Sequence, residues 1–281
     1  MDRLRLGVVG TGRMGRSHCR VYANLRHAEL IGVYDQSLHP GHAVAEANQV
    51  TFYDSLEALL EGVDAVSIAT PTPTHFDIAM QCLECGVHVL IEKPITQTVR
   101  QAEMLVQAAC TSKLVAQVGH IERFNPAYRE LKHVVDGTTM LAVDFRRLSP
   151  FLGSNTDVDV VLDLMIHDID LASGFGRREP IKHDRARITA HNGPIDYAVA
   201  QLQFASGLFL SMTASRMTEQ KVRMAEVTAL DAYITADLLS KTCRCIAAPS
   251  ASAWSTNHAA RSIARRTLWS AFMCPPPSLC T

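Results

Sequence analysis

The stretch Leu4-Arg5-Leu6-Gly7-Val8-Val9-Gly10-Thr11-Gly12-Arg13-Met14-Gly15 decides the fold. Its first six residues form an apolar run typical of a buried strand, and the following pattern predicts a helix to about Leu25. Glycines at 10, 12 and 15, in a turn between a strand and a helix, match the dinucleotide-binding fingerprint. Gly10 permits the tight turn, Gly12 lets backbone amides approach a diphosphate, and Gly15 allows helix and strand to pack closely. We therefore expect this turn, including Arg13 and Met14, to hold a dinucleotide at the helix N-terminus.

Asp35 follows the second predicted strand, Glu29 to Tyr34, at the place where the fingerprint requires an acidic residue. A carboxylate there accepts hydrogen bonds from a ribose diol and repels a 2′-phosphate. Neither Gln36 nor Ser37 supplies an arginine that would reverse this preference. The sequence therefore predicts NAD rather than NADP, the alternative being that Asp35 is a turn aspartate that caps the next helix.

Length and composition indicate a two-domain enzyme rather than a nucleic-acid-binding or membrane protein. A chain of 281 residues is near the upper limit for one hydrophobic core. The net charge of −1 argues against a nucleic-acid surface, and no apolar run reaches the roughly 18 residues of a membrane span. Because the chain begins with a strand rather than a signal sequence, we expect a cytoplasmic protein with reduced cysteines. Cys82 and Cys85 have the spacing of a metal or redox pair but lie inside a helical pattern, so no metal is expected.

Strands and helices alternate through residues 1–119, which predicts a Rossmann domain with a doubly wound parallel sheet. Two polar segments follow the fourth and fifth strands. They are Thr70-Pro71-Thr72-Pro73-Thr74-His75 and Glu92-Lys93-Pro94. Ligands of such sheets bind at the carboxyl ends of the strands, so Thr70, Pro71, His75 and Glu92 are expected to line the cofactor crevice. The alternative for His75 is to cap its helix.

The pattern changes in residues 120–240. A helix is predicted at Pro126 to Val135 and a helical segment at Val161 to Phe175. Five strands are predicted in the same region, one between the two helical segments and four after them. They are Leu141 to Leu148, Ile181 to Ala190, Tyr197 to Phe204, Leu208 to Ser215 and Val222 to Leu230, with Ala205-Ser206-Gly207 as a hairpin turn. This predicts a substrate-binding α+β domain with a largely antiparallel sheet, so the fold class is α/β with two domains.

Asp163 and His167 form a second chemical cluster within the predicted helical segment. Residues four apart lie on one face of an α-helix, so the carboxylate can orient the imidazole. A helical Asp and His pair is often only a surface hydrogen bond. The apolar neighbours Leu162, Leu164 and Met165 instead indicate a buried segment, where such a pair needs a reason.

With these three motifs in order, the sequence resembles the Gfo/Idh/MocA family of oxidoreductases over roughly residues 4 to 240. The stretches 119–126 and 157–170 are similar to the branch that oxidises UDP-N-acetylglucosamine to its 3-keto form. An aminotransferase then makes the amine used in lipid A or surface glycans. The resemblance implies an NAD-dependent enzyme that acts on a secondary hydroxyl of a sugar nucleotide. An inositol or simple-sugar dehydrogenase, and a catalytically silent NAD-binding protein, are the alternatives.

The resemblance also implies roles for particular residues. In the family the lysine of Glu-Lys-Pro and the histidine of Asp-x-x-x-His share the substrate hydroxyl, and either can be the base. We expect His167 to be the base because histidine titrates near neutrality, with Lys93 hydrogen-bonded to the reacting oxygen and Asp163 orienting His167. Glu92 is expected to contact the ribose or to hold Lys93. The substrate-binding residues expected near the cleft are His120, Arg123 and Asn125.

An arginine is also expected on a diphosphate substrate, and the sequence leaves five candidates open. They are Arg123, Arg146, Arg147, Arg216 and Arg223.

Residues 241–281 depart from the pattern. From Leu238 onward there is no Asp or Glu, while both tryptophans and four of the eight cysteines lie there. Lys241 to Ser250 matches no helix or strand template, which we interpret as a change of reading frame near Lys241, the alternative being a divergent tail. The family resemblance implies a homo-oligomer, and a shifted tail would remove part of the surface that forms it.

Overall fold

The computed structural model describes residues 3–151, 158–175, 182–189 and 193–247. The chain divides into two compact units, Met1–Glu122 and Arg123–Thr281, and each has its own hydrophobic core. Within the ranges given above, every helix is too short or too polar to span a bilayer.

The N-terminal unit is built on a six-stranded parallel sheet. Its strands are β1 (Leu4–Val9), β2 (Ala28–Tyr34), β3 (Thr51–Phe52), β4 (Ala65–Ile68), β5 (His88–Ile91) and β6 (Ala116–Val118). Its α-helices are α1 (Arg13–Tyr22), α2 (Leu38–Asn48), α3 (Leu56–Leu60), α4 (His75–Glu84) and α5 (Val99–Ser112), with 3₁₀ turns at Thr72–Thr74 and Ile121–Phe124. The strand order β3-β2-β1-β4-β5-β6 is that of dinucleotide-binding sheets and confirms the predicted Rossmann fold.

Both faces of this sheet are covered, which explains why its central strands carry mostly buried apolar side chains. Val8, Val66, Ile68 and Ile91 are at most 2% exposed. Helix α5 begins with a capping box, in which Thr98 and Gln101 bond each other's backbone N–H. The strand order reverses between β1 and β4, so the crevice for a ligand is expected beyond the carboxyl ends of these two strands.

The C-terminal unit carries a seven-stranded sheet. Its strands are β7 (Met140–Leu148), β8 (Lys182–Ile188), β9 (Tyr197–Gln203), β10 (Phe209–Ser215), β11 (Val222–Ala229), β12 (Ala232–Asp237) and β13 (Thr242–Ala247). Its helices are α6 (Pro126–Val135), the π-helix Val161–Met165 and α7 (Ile166–Ala172). The order is β13-β12-β11-β7-β10-β9-β8, and only the β7 and β10 pair is parallel among these strands. The predicted α+β architecture is confirmed.

Alternation along β10 points one row of side chains into the core. Leu210 and Met212 are buried there and belong to the same apolar cluster as Tyr128 and Leu131 of α6. The predicted hairpin turn before β10 is confirmed, because β9 and β10 pair antiparallel and Gly207 has a φ of +87°. A positive φ at this position favours glycine.

The interpretation of Lys241 to Ser250 as matching no strand template is wrong for Thr242–Ala247. These residues form β13, which pairs antiparallel with β12 at the edge of the sheet. Lys241 has a φ of +59° in the turn between them, and Asp237 Oδ1 accepts from the backbone of Leu239 and Ser240. Five of the six β13 side chains are exposed and only Cys243 packs against the core, so no alternation of apolar and polar residues marks this strand. Residues 248–281, most of the proposed shifted tail, lie outside the described ranges.

Candidate active site

The glycine turn has the geometry that the fingerprint requires. Gly10 follows β1 with a φ of +90°, and a Cβ on it would lie 2.8 Å from the Ala69 carbonyl oxygen. A Cβ on Gly15 would lie only 1.8 Å from the Gly10 oxygen, so α1 packs directly on the turn. By contrast, a Cβ on Gly12 would meet nothing within 4 Å. The backbone at the start of α1 therefore faces open space, as an anion-binding helix N-terminus must.

A cleft of about 660 Å³ opens beside this turn. It is bounded by the ends of β1, β2 and β4 and by helices α1, α3 and α4. Seven of the predicted cofactor residues line it, namely Gly10, Gly12, Arg13, Met14, Asp35, Thr70 and Pro71. The lining also includes Leu56, Glu57, Ile78 and Gln81, which the sequence analysis missed because nothing in a helix pattern marks a side chain as facing a cleft.

Asp35 is held at the floor of this cleft by Thr11, which is almost fully buried. The backbone N–H and the hydroxyl of Thr11 both donate to Asp35 Oδ2, at 2.6 and 2.7 Å. The Ser37 N–H donates to Oδ1 at 2.8 Å. Burial raises the pKa of the Asp35 carboxyl, but these hydrogen bonds together outweigh it and hold the pKa below its usual value. Asp35 is therefore an ionised acceptor at neutral pH.

The residues of the cleft fit NAD. A carboxylate oxygen accepts two hydrogen bonds, and Oδ1 receives one from Ser37 among the described residues, so it can accept a second from a ribose hydroxyl. The lining residues next to Asp35 are Gln36 and Ser37, and neither carries the positive charge that a 2′-phosphate would need. The alternative of Asp35 as a helix cap has less support, because the N-cap of α2 is Ser37.

Glu92 is directed into the N-terminal unit, where it meets a residue that the sequence analysis missed. Its Oε1 lies 2.8 Å from His18 Nε2, and its side chain is 10% exposed. The other imidazole nitrogen of His18 lies 3.0 Å from Ser67 Oγ, and the Tyr22 hydroxyl also bonds to Ser67. Glu92 therefore anchors the segment that carries Lys93. The Lys93-Pro94 peptide bond is cis.

His75 is likewise used inside the unit. Its ring is 1% exposed, with Nδ1 2.8 Å from the Pro94 carbonyl oxygen and Nε2 2.9 Å from the Thr70 carbonyl oxygen. It does not cap α4, since the residue at the N-cap position is Thr74. The imidazole instead ties together the two loops that follow β4 and β5. Three of the predicted cofactor residues are therefore not among those that line the cleft in this unit. They are Gly15, His75 and Glu92.

In the C-terminal unit, the Asp163 and His167 motif lies on a helix that changes type between them. Residues Val161–Met165 form a π-helix and His167 lies in the α-helix that follows. The four-residue spacing therefore does not have the meaning it has in a regular α-helix, and the orientation of His167 by Asp163 stays a prediction. Single π turns inside helices are frequent at functional sites.

Asp168, next to His167, is 2% exposed and forms an ion pair with Arg147 of β7, at 2.7 Å from Nη2 to Oδ1. The pair fixes the start of α7 against the sheet. A second buried pair joins Arg216 to Asp196, at 2.6 Å from Nε to Oδ1. Both arginines were candidates for binding a diphosphate, and burial gives them a structural role.

The other candidate substrate residues of this unit also have partners. Arg123 makes a bidentate contact with Asp170, with Nε to Oδ2 at 2.8 Å and Nη2 to Oδ1 at 2.5 Å. Asn125 accepts from the Ala127 N–H at the start of α6 and donates to the Leu238 carbonyl oxygen at 2.9 Å. Arg146 pairs with Glu226 at 3.0 Å.

For two further candidates, His120 and Arg223, the structure gives a position in the fold. His120 lies in the N-terminal unit just after β6, and Arg223 lies in β11. Substrate contacts by His120, Arg123 and Asn125 stay predictions.

The cysteine pair in α4 has the properties of ordinary core and surface thiols. Cys82 is fully buried and burial raises its pKa to about 12, whereas Cys85 is exposed. A thiol with so high a pKa is a poor nucleophile and a poor metal ligand. Among the described residues, no group of three or more His, Cys, Asp or Glu side chains is arranged to hold a metal ion.

Comparison with known proteins decides the family. Residues 4–120 match the profile of the Gfo/Idh/MocA oxidoreductase family, NAD-binding Rossmann fold. The UDP-N-acetylglucosamine 3-dehydrogenase of Acidithiobacillus ferrooxidans is 36% identical over 242 residues, which are 86% of this chain and 76% of the relative. The chain belongs to the Gfo/Idh/MocA family. It is an NAD-binding oxidoreductase.

Two further comparisons show how widely the similarity extends. A crystal form of the same Acidithiobacillus enzyme superposes with a TM-score of 0.82 at 35% identity, covering 89% of this chain and 83% of that one. Inositol 2-dehydrogenase 4 of Saccharopolyspora erythraea is 30% identical, covering 74% of this chain and 66% of its own length. The relatives of this chain are therefore named for two different substrates, a sugar nucleotide and inositol.

Proposed function

We propose that the protein oxidises the 3-hydroxyl of UDP-N-acetylglucosamine to a ketone and transfers the hydride to NAD. The observation that carries the proposal is the 36% identity to a UDP-N-acetylglucosamine 3-dehydrogenase over 86% of the chain. That similarity extends through the C-terminal unit, whereas the NAD-binding profile ends at residue 120. The product would be a 3-keto sugar nucleotide, a substrate for the amination that precedes lipid A or surface glycan synthesis. We place the reaction in the cytoplasm.

The chemistry requires few protein groups. When bound, NAD supplies the acceptor for the hydride that leaves the carbinol carbon. The hydroxyl proton must then go to a base within hydrogen-bond reach. The proposal gives that proton to His167 and gives Lys93 a hydrogen bond to the same oxygen, which stabilises the negative charge that develops on it. Asp163 is proposed to orient the imidazole.

The roles of the N-terminal unit have more support from geometry. The ionised Asp35 is proposed to bind the adenosine ribose, and the N-terminus of α1 at Gly12 to bind the diphosphate. Arg13, Met14, Thr70 and Pro71 line the same cleft and are proposed to contact the rest of the cofactor. His120, Arg123 and Asn125 are proposed to contact the sugar nucleotide.

The test is NADH formation by the purified full-length chain with NAD and either UDP-N-acetylglucosamine or myo-inositol. We expect turnover with the sugar nucleotide, a product lighter by two hydrogen atoms in mass spectrometry, and competitive inhibition by free UDP. Turnover with myo-inositol that UDP does not inhibit would replace the proposal with an inositol dehydrogenase. NADH binding without turnover of either would favour a silent NAD-binding protein.

Lys93→Met separates chemistry from cofactor binding, because methionine keeps the length of the side chain without its charge. We expect kcat to fall by at least about 100-fold while NADH still binds. His167→Asn should also abolish turnover. If Lys93→Met retains wild-type kcat, the proposed role of Lys93 is wrong.

A further inference from the structure

Both chain neighbours of Lys93 are held by histidine side chains that have little exposure to solvent. On one side, Glu92 Oε1 lies 2.8 Å from His18 Nε2. On the other side, the Pro94 carbonyl oxygen lies 2.8 Å from His75 Nδ1. The side chains of Glu92 and His18 are 10% and 13% exposed, and His75 is 1% exposed. Solvent therefore competes little for either contact.

The second nitrogen of each ring binds to β4 or to the loop that follows it. His18 Nδ1 is 3.0 Å from Ser67 Oγ within β4, and His75 Nε2 is 2.9 Å from the carbonyl oxygen of Thr70. Each imidazole thus bridges β4 to the segment that follows β5. The two bridges lie on either side of Lys93 in the chain.

The partners of His18 define a directional chain of hydrogen bonds. A carboxylate only accepts, so the His18 Nε2–H donates to Glu92 and Nδ1 accepts from the Ser67 hydroxyl. The Ser67 hydroxyl has a single proton, so when it donates to His18 it accepts from the Tyr22 hydroxyl. For His75 both partners are carbonyl oxygens, which only accept, so a hydrogen bond to either of them requires an N–H on the ring nitrogen that makes it.

We propose that His18 and His75 are positioning residues, which fix the backbone on both sides of Lys93 and so direct its amine toward the reacting oxygen. The inference rests on the proposed function in giving Lys93 that contact. A lysine side chain is a flexible four-carbon stem, so its reach is defined only if the backbone that carries it does not move. A displacement of about 1 Å at a reacting centre can cost about 100-fold in rate.

Leucine and glutamine variants test each bridge. His18→Leu and His75→Leu remove both hydrogen bonds of a ring and keep an apolar side chain of similar size. His18→Gln and His75→Gln retain one amide donor at nearly the same reach. We expect kcat with UDP-N-acetylglucosamine to fall by about tenfold or more in the leucine variants and to recover partly in the glutamine variants. The dissociation constant of NADH should change by less than about threefold.

A matched control separates positioning from general loss of packing. Cys19 is fully buried on α1 beside His18 in the chain, yet its side chain has no hydrogen bond to Glu92. Cys19→Ala should lower the melting temperature and leave kcat unchanged. If the leucine variants fail to bind NADH, His18→Asn replaces His18→Leu, because asparagine is too short to reach Glu92.

A spectroscopic signature of Lys93 makes the test independent of the substrate. The chain has only six lysines, so reductive methylation with ¹³C-formaldehyde gives few NMR signals, and Lys93→Met identifies the one from Lys93. We expect this signal to shift or broaden in His18→Leu and His75→Leu and to stay in place in Cys19→Ala. Unchanged kcat and an unchanged Lys93 signal in the leucine variants would overturn the inference.

The two proposals fail in different ways. If the wild-type protein does not oxidise UDP-N-acetylglucosamine, the proposed function is wrong, and the Lys93 signal alone then decides whether the histidines position this residue. If turnover is observed and the leucine variants match Cys19→Ala in both kcat and the Lys93 signal, the proposed function stands and the positioning role is wrong.

Discussion

Thr11 donates two hydrogen bonds to one oxygen of Asp35, from its backbone N–H at 2.6 Å and from its hydroxyl at 2.7 Å. The glycine turn and the end of β2 are thereby joined through a carboxylate rather than through backbone pairing alone. Because Thr11 takes up Oδ2, the capacity to bind a ribose falls to Oδ1. Oδ1 also accepts from the Ser37 N–H at 2.8 Å, so it keeps one acceptor position, which is the position proposed for the ribose hydroxyl.

Asp35→Asn should weaken discrimination between NAD and NADP. The substitution removes a negative charge that repels a 2′-phosphate but retains an oxygen that can accept from Thr11. We expect the ratio of the NADP to NAD dissociation constants to fall by about tenfold or more, measured by calorimetry with both cofactors. An unchanged ratio would mean that Asp35 does not face the ribose.

The same substitution should change how stability depends on pH. The hydrogen bonds from Thr11 and Ser37 lower the folded-state pKa of Asp35 despite the opposing effect of burial. A depressed folded-state pKa stabilises the protein above the unfolded-state value of about 3.9. This stabilisation is lost as the pH falls through the folded-state pKa. The difference in unfolding free energy between wild type and Asp35→Asn should therefore be largest near neutral pH and shrink in acid, as chemical denaturation at several pH values would show.

The two glycines on either side of the start of α1 should respond differently to alanine. A Cβ on Gly15 would lie 1.8 Å from a backbone oxygen that cannot move aside, whereas a Cβ on Gly12 meets nothing within 4 Å. Gly15→Ala should lower the free energy of unfolding by about 3 kcal/mol or more, and Gly12→Ala by no more than about 1 kcal/mol.

Only NAD binding should reveal the defect in Gly12→Ala. Its methyl group would stand in the space proposed for the diphosphate, so we expect NADH affinity to fall by about tenfold or more in a protein that unfolds almost like the wild type. Normal NADH affinity in Gly12→Ala would place the diphosphate elsewhere.

The sequence alone was sufficient to predict those features of the fold that depend on residues close together in the chain. The glycine turn, the strands of the parallel sheet and the hairpin at Gly207 each follow from residues a few positions apart, because turn geometry and burial act over that range. The buried network at Glu92 could not be predicted in this way. His18 is 49 residues from Ser67 and 74 residues from Glu92, and no periodicity links them. Edge strand β13 was missed because five of its six side chains are exposed, so no apolar alternation marks it.

The type of helix near His167 was missed for a related reason. A π turn arises from how a segment packs in its unit, and the sequence of Val161–Met165 reads equally well as α-helix. The predicted contact between Asp163 and His167 depended on that regular spacing. The motif itself was visible, whereas its geometry was decided by tertiary structure.

The final prediction concerns the buried ion pair between Arg147 of β7 and Asp168 of α7. Arg147 and Asp168 are 1% and 2% exposed, so replacing the carboxylate removes a negative charge that faces the guanidinium in the core. Asp168→Asn should lower the free energy of unfolding by about 3 kcal/mol or more. Glu226→Gln is the matched control, because it breaks the exposed pair with Arg146 in the same sheet and should cost less than about 1 kcal/mol. Urea denaturation of both variants makes the comparison. Because Asp168 adjoins His167, Asp168→Asn should also lower kcat by more than Glu226→Gln does. If the two variants lose the same unfolding free energy, the buried pair contributes no more to stability than the exposed one, and the prediction is wrong.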